Sequence, residues 1–306
     1  MRFAIEPWAP DYGVAADQSN LEASATVVAV DVEVAADAWA PVAPSPAAVE
    51  PARILFVDGV RRVDAQVWFE DGALSRRGVC ASVAAGSVCS AAGQAVIDEV
   101  VVERGFFARS APAATSIDTV HGRYHHVPCT GDAADDINFA IHRMMTALEA
   151  RVAASHDADL VVFDGPLRQR TDRAAIGYIK TQQVQYLPDE LQVVVGRLAA
   201  GERTPLFLLE GQGARYTWYL RLPGPRAQPL SGIVRIELPA LGGIADVVAR
   251  ADAVTRTLPR FASEAHKDPR APHNLYPIAG LEQRLRHLLG NQLIVERALR
   301  RAATAA

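Results

Sequence analysis

The chain has 306 residues, half of them hydrophobic and 22% charged, with a formal net charge of −4, values that provide for a substantial core and exclude a strongly basic nucleic-acid-binding protein of the simplest kind. No apolar run approaches the roughly 20 residues that span a membrane, and the N-terminus, MRFAIEPWAPDYG, lacks a signal-peptide core. Cys80, Cys89 and Cys129 are odd in number and without CxxC spacing, which argues against a disulfide framework or a zinc module, so a cytoplasmic protein with reduced core cysteines and no membrane contact is expected.

Residues 1–52 read as an acidic N-terminal extension. Positions 1–50 hold eight acids against Arg2, a balance of −7 that leaves +3 for the rest of the chain. Within it ATVVAVDVEVA at 25–35 alternates as an edge strand does, and PVAPSPAAVEP follows as a linker. The domain proper then occupies 53–306. RILFVDG and VDAQVWFE (63–70) read as successive strands, and the Asp-Gly pair at 71–72 predicts a hairpin into a third strand near 77–85. QAVIDEVVVERGFF at 94–107 is another strand, and the stretch from there to about 131 has no clear pattern.

From Asp135 to about Ser155 the period becomes helical, with Ile137, Ile141, Met144, Met145, Leu148 and Val152 on or near one face. DLVVFDG follows directly as a strand, then AIGYIK (175–180), a helix over Asp189–Leu198, and strands in TPLFLLE, ARYTWYLRL and GIVRIEL. A helix near 242–259, the polar loop FASEAHKDPRAPHN and a helical tail from about Pro277 to Ala302 complete the chain.

Two of these strands end alike, ILFVDG at 54–59 and LVVFDG at 160–165. Runs of Ile, Leu, Val and Phe are strands buried on both faces, and ligands in open α/β sheets sit beyond the carboxyl ends of such strands. Asp58 and Asp164 are thus placed to meet. Two adjacent carboxylates repel unless a proton or cation lies between them, and hard oxygen donors suit magnesium or manganese.

The order of strand with Asp, hairpin, third strand, helix and strand with Asp resembles the ribonuclease H-like core, an α/β mixed sheet flanked by helices, here with insertions and the N-terminal extension. FVDG (56–59), FDGPL (163–167), GYIKT (177–181) and NLYPIAGLE (274–282) together resemble the ordered motifs of the NurA nucleases over about residues 53–295. The resemblance implies a manganese- or magnesium-dependent deoxyribonuclease that cleaves phosphodiester bonds with two metal ions. It also implies action on DNA ends in repair and resection, as a homodimer, in partnership with the HerA hexameric ATPase.

Carried over by position, Asp58 and Asp164 match the two strand acids as metal ligands. The family's helix glutamate corresponds to Glu149, the only glutamate on that helix, although family spacing falls nearer Met145 and Asp136 at the helix start is a rival. Glu282 stands where the family has a His, a departure that leaves an oxygen donor or base. Asn274 occupies the place of a family Tyr, with Tyr276 close by. Lys180 matches the lysine that neutralises phosphate charge, and Arg168, Arg170 and Arg173 are expected to hold the DNA backbone. The alternative reading is a catalytically inactive adaptor or DNA clamp for a HerA-like ATPase. A phosphotransferase is weaker, since no P-loop is present.

Three further groups are weaker candidates. HGRYHH (His121, His125, His126) has no second ligand group at zinc spacing and reads as a loop or strand end. His266, Asp268 and His273 read as a polar loop that could line a groove. Trp218 and Tyr219 read as cross-strand packing, with base stacking as the alternative.

Overall fold

The apolar run that begins at Ile54 continues past the Asp-Gly pair. In the computed structural model, which describes residues 3–5, 27–110, 115–168, 170–180, 185–211, 213–225, 230–268 and 270–305, two short strands, β1 (Phe3–Ile5) and β2 (Val28–Ala29), precede a single strand β3 (Arg53–Asp71). The expected break between RILFVDG and VDAQVWFE is therefore corrected. Arg61 and Arg62 stay in register with Val83 and Ser82 of β4 (Leu74–Ala91), and the odd residue is absorbed as a bulge at Asp64, between Val63 and Ala65. At 19 residues β3 is roughly 60 Å long. β5 (Gln94–Ala108) follows through a turn at Ala92 and Gly93, whose positive φ of 50° and 77° allows the tight reversal.

The unpatterned stretch supplies β6 (Ser116–Thr119) and β7 (Gly122–Pro128), with β7 parallel to β5. Then come α1 (Ala134–Ala154), β8 (Leu160–Asp164), β9 (Ala175–Ile179), α2 (Asp189–Arg197), β10 (Phe207–Leu209), β11 (Arg215–Arg221), β12 (Ile233–Pro239) and α3 (Ile244–Thr257). The tail is two helices rather than one, α4 (Tyr276–Leu288) and α5 (Gln292–Ala305). Gly290, at φ +79°, ends the first of them. Arg62 donates to the free carbonyls of Leu289 and Gly290 (3.0 and 2.6 Å) and to Asp64 (2.8 Å), which ties this break to the β3 bulge.

One mixed sheet runs β2-β10-β11-β12-β9-β8-β3-β4-β5-β7-β6. Strand β8 lies parallel to β3, pairing Ile54–Val57 with Leu160–Phe163, whereas β1 pairs with the far end of the same edge at Val67–Phe69. Between them the edge of β3 forms a notch that opens at Asp58. Helix α1 covers one face, packing Ile137, Ile141, Leu148 and Val152 on Val63, Val79, Ala81 and Val83. Helices α3 and α4 cover the other through Val247, Val254, Ile278, Leu281 and Leu285, on Phe56, Val162, Tyr178 and Ile236. Burial of each such side chain contributes about 1.5–3 kcal/mol.

The segment before residue 53 is stapled to this body. Glu33 forms a bidentate pair with Arg203 (2.8 Å to each nitrogen), Arg203 also reaches Asp252 (2.9 Å), and Trp39 is buried beside α2 and donates to Val30 O. The three cysteines are free. No helix among the described residues is long and apolar enough to cross a membrane.

Candidate active site

The register that pairs Val57 with Phe163 puts Asp58 and Asp164 at neighbouring positions on adjacent parallel strands. Alternation sends both toward the α4 face, since Phe56 and Val162, two residues earlier, pack there. Asp58 thus marks the end of the parallel pairing, and not the end of its strand as the sequence suggested. Two glycines bring the helices to these acids. A Cβ on Gly59 would lie 2.7 Å from Glu149 Oε1 and 2.8 Å from Met145 Cγ, so α1 rests its glutamate on bare strand beside Asp58. Gly86 pairs with Asp58 across β4, and a Cβ there would lie 3.1 Å from Leu281 Cδ1, so α4 can approach and present the next residue, Glu282.

Asp136 is not part of this group. It accepts from Thr130 Oγ1 (2.7 Å) at the start of α1, roughly 20 Å along the helix from Glu149.

Burial and mutual repulsion dominate the electrostatics. Burial, and then the charges of Asp164 and Glu149, push the Asp58 carboxyl well above its ordinary range, with Lys180 opposing. Asp164 is raised by burial against the pull of Lys180, with Glu282 adding to the rise. Glu149 is raised by burial to about 7, against the pull of Arg170. Glu282 is held below its usual range, because hydrogen bonds from Arg270 and Arg286 outweigh its burial.

Basic side chains currently balance most of this charge. Lys180 Nζ donates to Asp164 Oδ2 (2.7 Å) and to Asn274 Oδ1 (2.8 Å), and Asn274 in turn donates to Asp268 (2.6 Å). Asn274 is fully buried, so it fixes the lysine's position. Arg170 pairs with Glu149 (2.6 Å) and stacks on Phe163 at 3.9 Å. Asp58 alone of the four acids has no basic hydrogen-bond partner among the described residues, its Oδ1 accepting only from Gly59 N (2.8 Å). With the side chains in these ion pairs, no three His, Cys, Asp or Glu among the described residues stand together as a ready metal cage. The donor set nevertheless fits a hard cation. It consists of oxygen atoms, three of the carboxyls are raised, and Asp58 lacks a counter-charge.

The loop after Asp164 is held by two residues outside any predicted set. Glu237 on β12 is fully buried, accepts from Leu167 N (2.8 Å), and pairs with Arg235 (2.5 Å) and Arg215 (3.0 Å). The only sequence signal was two opposite charges on one face of the apolar strand GIVRIEL. Glu237→Gln is expected to cost about 3–5 kcal/mol by leaving buried guanidinium charge uncompensated; urea melts would measure it. Gly177, two residues from Ile179 on β9, lies under the same loop. Its Cβ would sit 2.5 Å from Leu167 N and 2.9 Å from Gly165 O, both backbone atoms that cannot rotate away. Gly177→Ala is expected to destabilise by about 1–3 kcal/mol, a loss that thermal melts would detect.

Of the other sequence candidates, Arg173 is not brought to the acids. It pairs with Asp246 (2.6 Å) and lines a cavity of about 420 Å³ with Asp159 and Leu160 at the opposite end of β8. Tyr276 begins α4 with Lys267 over its ring at 5.2 Å. His273 joins the frame through its carbonyl, which accepts from Tyr178 OH (2.7 Å). Trp218 and Tyr219 are buried, leaving no ring face for a base. His121 lies exposed in the β6–β7 turn.

A mixed sheet with parallel neighbours β3 and β8, helices on both faces and acids at the end of that pairing defines a ribonuclease H-like α/β protein with a carboxylate site. The NurA domain model matches residues 53–286. The chain belongs to the NurA family, the nuclease family that its four motifs resemble. Among solved structures, the NurA nuclease from Sulfolobus solfataricus aligns at 12% identity and a TM-score of 0.46, covering 84% of this chain and 87% of that one. Endonuclease V from Bacillus subtilis aligns at 12% identity and TM-score 0.35 (78% and 81% covered). The catalytic domain of human endonuclease V aligns at 15% and 0.34 (78% and 85%). No curated protein matches the chain at a significant level.

Proposed function

We propose that this protein is a divalent-metal-dependent deoxyribonuclease that hydrolyses DNA phosphodiester bonds, with Asp58, Asp164, Glu149 and Glu282 as its metal-binding acids and two Mn2+ or Mg2+ ions as cofactor. The observation that carries the reading is the set of three mutually repelling carboxyls, buried Asp58 and Glu149 and half-buried Asp164, in a notch whose donors are hard oxygens. Bound divalent ions supply Lewis acidity toward the phosphate and a lowered pKa for water. The chain's own residues do the rest. Asp58 and Asp164 would hold the cationic charge, and Lys180, now paired with Asp164, would then be free to face the phosphate oxygens. Arg170, released from Glu149, adds a second cation on the α1 side. Asn274 keeps Lys180 oriented while this happens. Family membership supports work in DNA repair and end resection with a HerA-like ATPase, as a homodimer in the cytoplasm.

The test is incubation of end-labelled single- and double-stranded DNA with purified protein in Mn2+, Mg2+ or EDTA. Cutting with metal and none with EDTA is expected. A well-folded wild type that cuts neither substrate, even with its cognate ATPase, would leave the adaptor reading in its place.

A further inference from the structure

Helix α1 carries a second polar group on the face that bears Glu149. His142 precedes Glu149 by seven residues, two turns or roughly 10 Å. Its Nε2 is buried without a hydrogen-bond partner among the described residues. Arg61 reaches the same helix from β3, where its one hydrogen bond among the described residues is a long one, 3.5 Å, to Asn138 O. From the loop after β8 comes Arg168, a non-glycine residue held at φ +55°. Strain of this kind costs on the order of 1–3 kcal/mol and collects at functional sites. Arg168 forms no ion pair or hydrogen bond among the described residues, and the Nε of neighbouring Arg170 is also buried without a partner. The acid within this group is Glu149, already bound to Arg170. Burial, and then Arg168, Arg61 and Arg170, push His142 down to about 4. It is therefore neutral at pH 7 and able to donate one N–H to an anion. The group thus combines excess positive charge with orphaned donors, beside the acids.

We propose that Arg61, His142 and Arg168 form an anion subsite that grips a backbone phosphate of the DNA strand a few nucleotides from the bond being cut. The assignment to DNA rests on the nuclease reading above, whereas the existence of the anion site does not. A cationic cluster of this kind binds phosphate by charge and fork geometry, without reading bases.

Two measurements on the full-length protein in EDTA test this. The first is titration with pyrophosphate, read by the imidazole 15N signals of His142. A saturable shift is expected in wild type and in an Arg61→Lys/Arg168→Lys control, but not in Arg61→Gln/Arg168→Gln. The second is binding of a single-stranded oligonucleotide across a salt series. The double Gln variant is expected to bind about tenfold or more weakly and to flatten the log–log salt slope by roughly 0.7 per lost contact, while cleavage falls through KM more than kcat. No pyrophosphate response at His142 would overturn the subsite. Wild type that cuts DNA, together with a double variant of unchanged affinity and slope, would overturn its DNA role and leave the nuclease reading intact. Pyrophosphate saturation without any DNA binding by wild type would keep the anion site and overturn both DNA assignments.

Discussion

Asp58→Asn is expected to abolish metal-dependent cleavage, with kcat lowered at least about 10³-fold, and also to raise the stability of the metal-free protein. The two effects have one cause. Asp58 is buried against Asp164 and Glu149 with no basic partner among the described residues. As a ligand it would supply several kcal/mol of transition-state stabilisation through the bound cation, at about 1.4 kcal/mol per decade of rate. Without metal, burial and the charges of Asp164 and Glu149 disfavour its negative charge by more than Lys180 offsets. Asn keeps the shape and can still accept from Gly59 N, so the fold loses nothing. Cleavage at saturating Mn2+ and urea melts in EDTA at pH 8 measure the two arms. A variant that cuts within tenfold of wild type would remove Asp58 from the proposed metal-binding acids. One that melts earlier than wild type would mean that the charge is compensated by something other than metal.

The metal-free protein is expected to lose stability as pH rises from about 5 to 8. Glu149 titrates near 7 in the folded chain against 4.5 ordinarily. Across that window the folded state therefore holds a proton that the unfolded state has released. Stability falls with pH wherever the folded state binds more protons, and 2.5 pKa units correspond to about 3 kcal/mol by pH 8. Asp58 and Asp164 are raised and act in the same direction. Glu282, held low by Arg270 and Arg286, acts in the opposite one, and its contribution disappears only in more acid solution. Mn2+ should reverse the decline, contributing about 2.7 kcal/mol at a hundredfold excess over Kd, and more at pH 8 than at pH 6 because binding displaces protons. Melts at four pH values with and without Mn2+ check both slopes. A flat metal-free profile would mean that the three carboxyls are not strained.

Some corrections to the sequence reading share an origin. The break expected in β3 came from reading Asp58-Gly59 as a strand end, which left the pair Arg61 and Arg62 outside both apolar runs. A strand tolerates such a pair where one side chain, Arg62, finds carbonyls at a helix end and the other, Arg61, lies along α1. The tail separated into two helices because a single glycine reached positive φ, an outcome that periodicity does not register. Arg170, expected on DNA, pairs with Glu149 in the DNA-free chain, since the loop after β8 folds back over the sheet and is pinned there by Glu237, a contact that the sequence does not display.

Apolar periodicity by itself determined most strands, the long helix α1 and the strand-borne acids Asp58 and Asp164, because burial of one face or of a whole strand imposes a repeat that local sequence displays. The order of those elements was enough to indicate the ribonuclease H-like sheet. Which acids and bases meet was decided only by the tertiary structure. Glu149 rather than Asp136 reaches the notch because Gly59 leaves room there, and Lys180 is steered by Asn274 from 94 residues away. Such contacts depend on strand register and on helices seated by distant packing, and neither leaves a periodic trace in the chain.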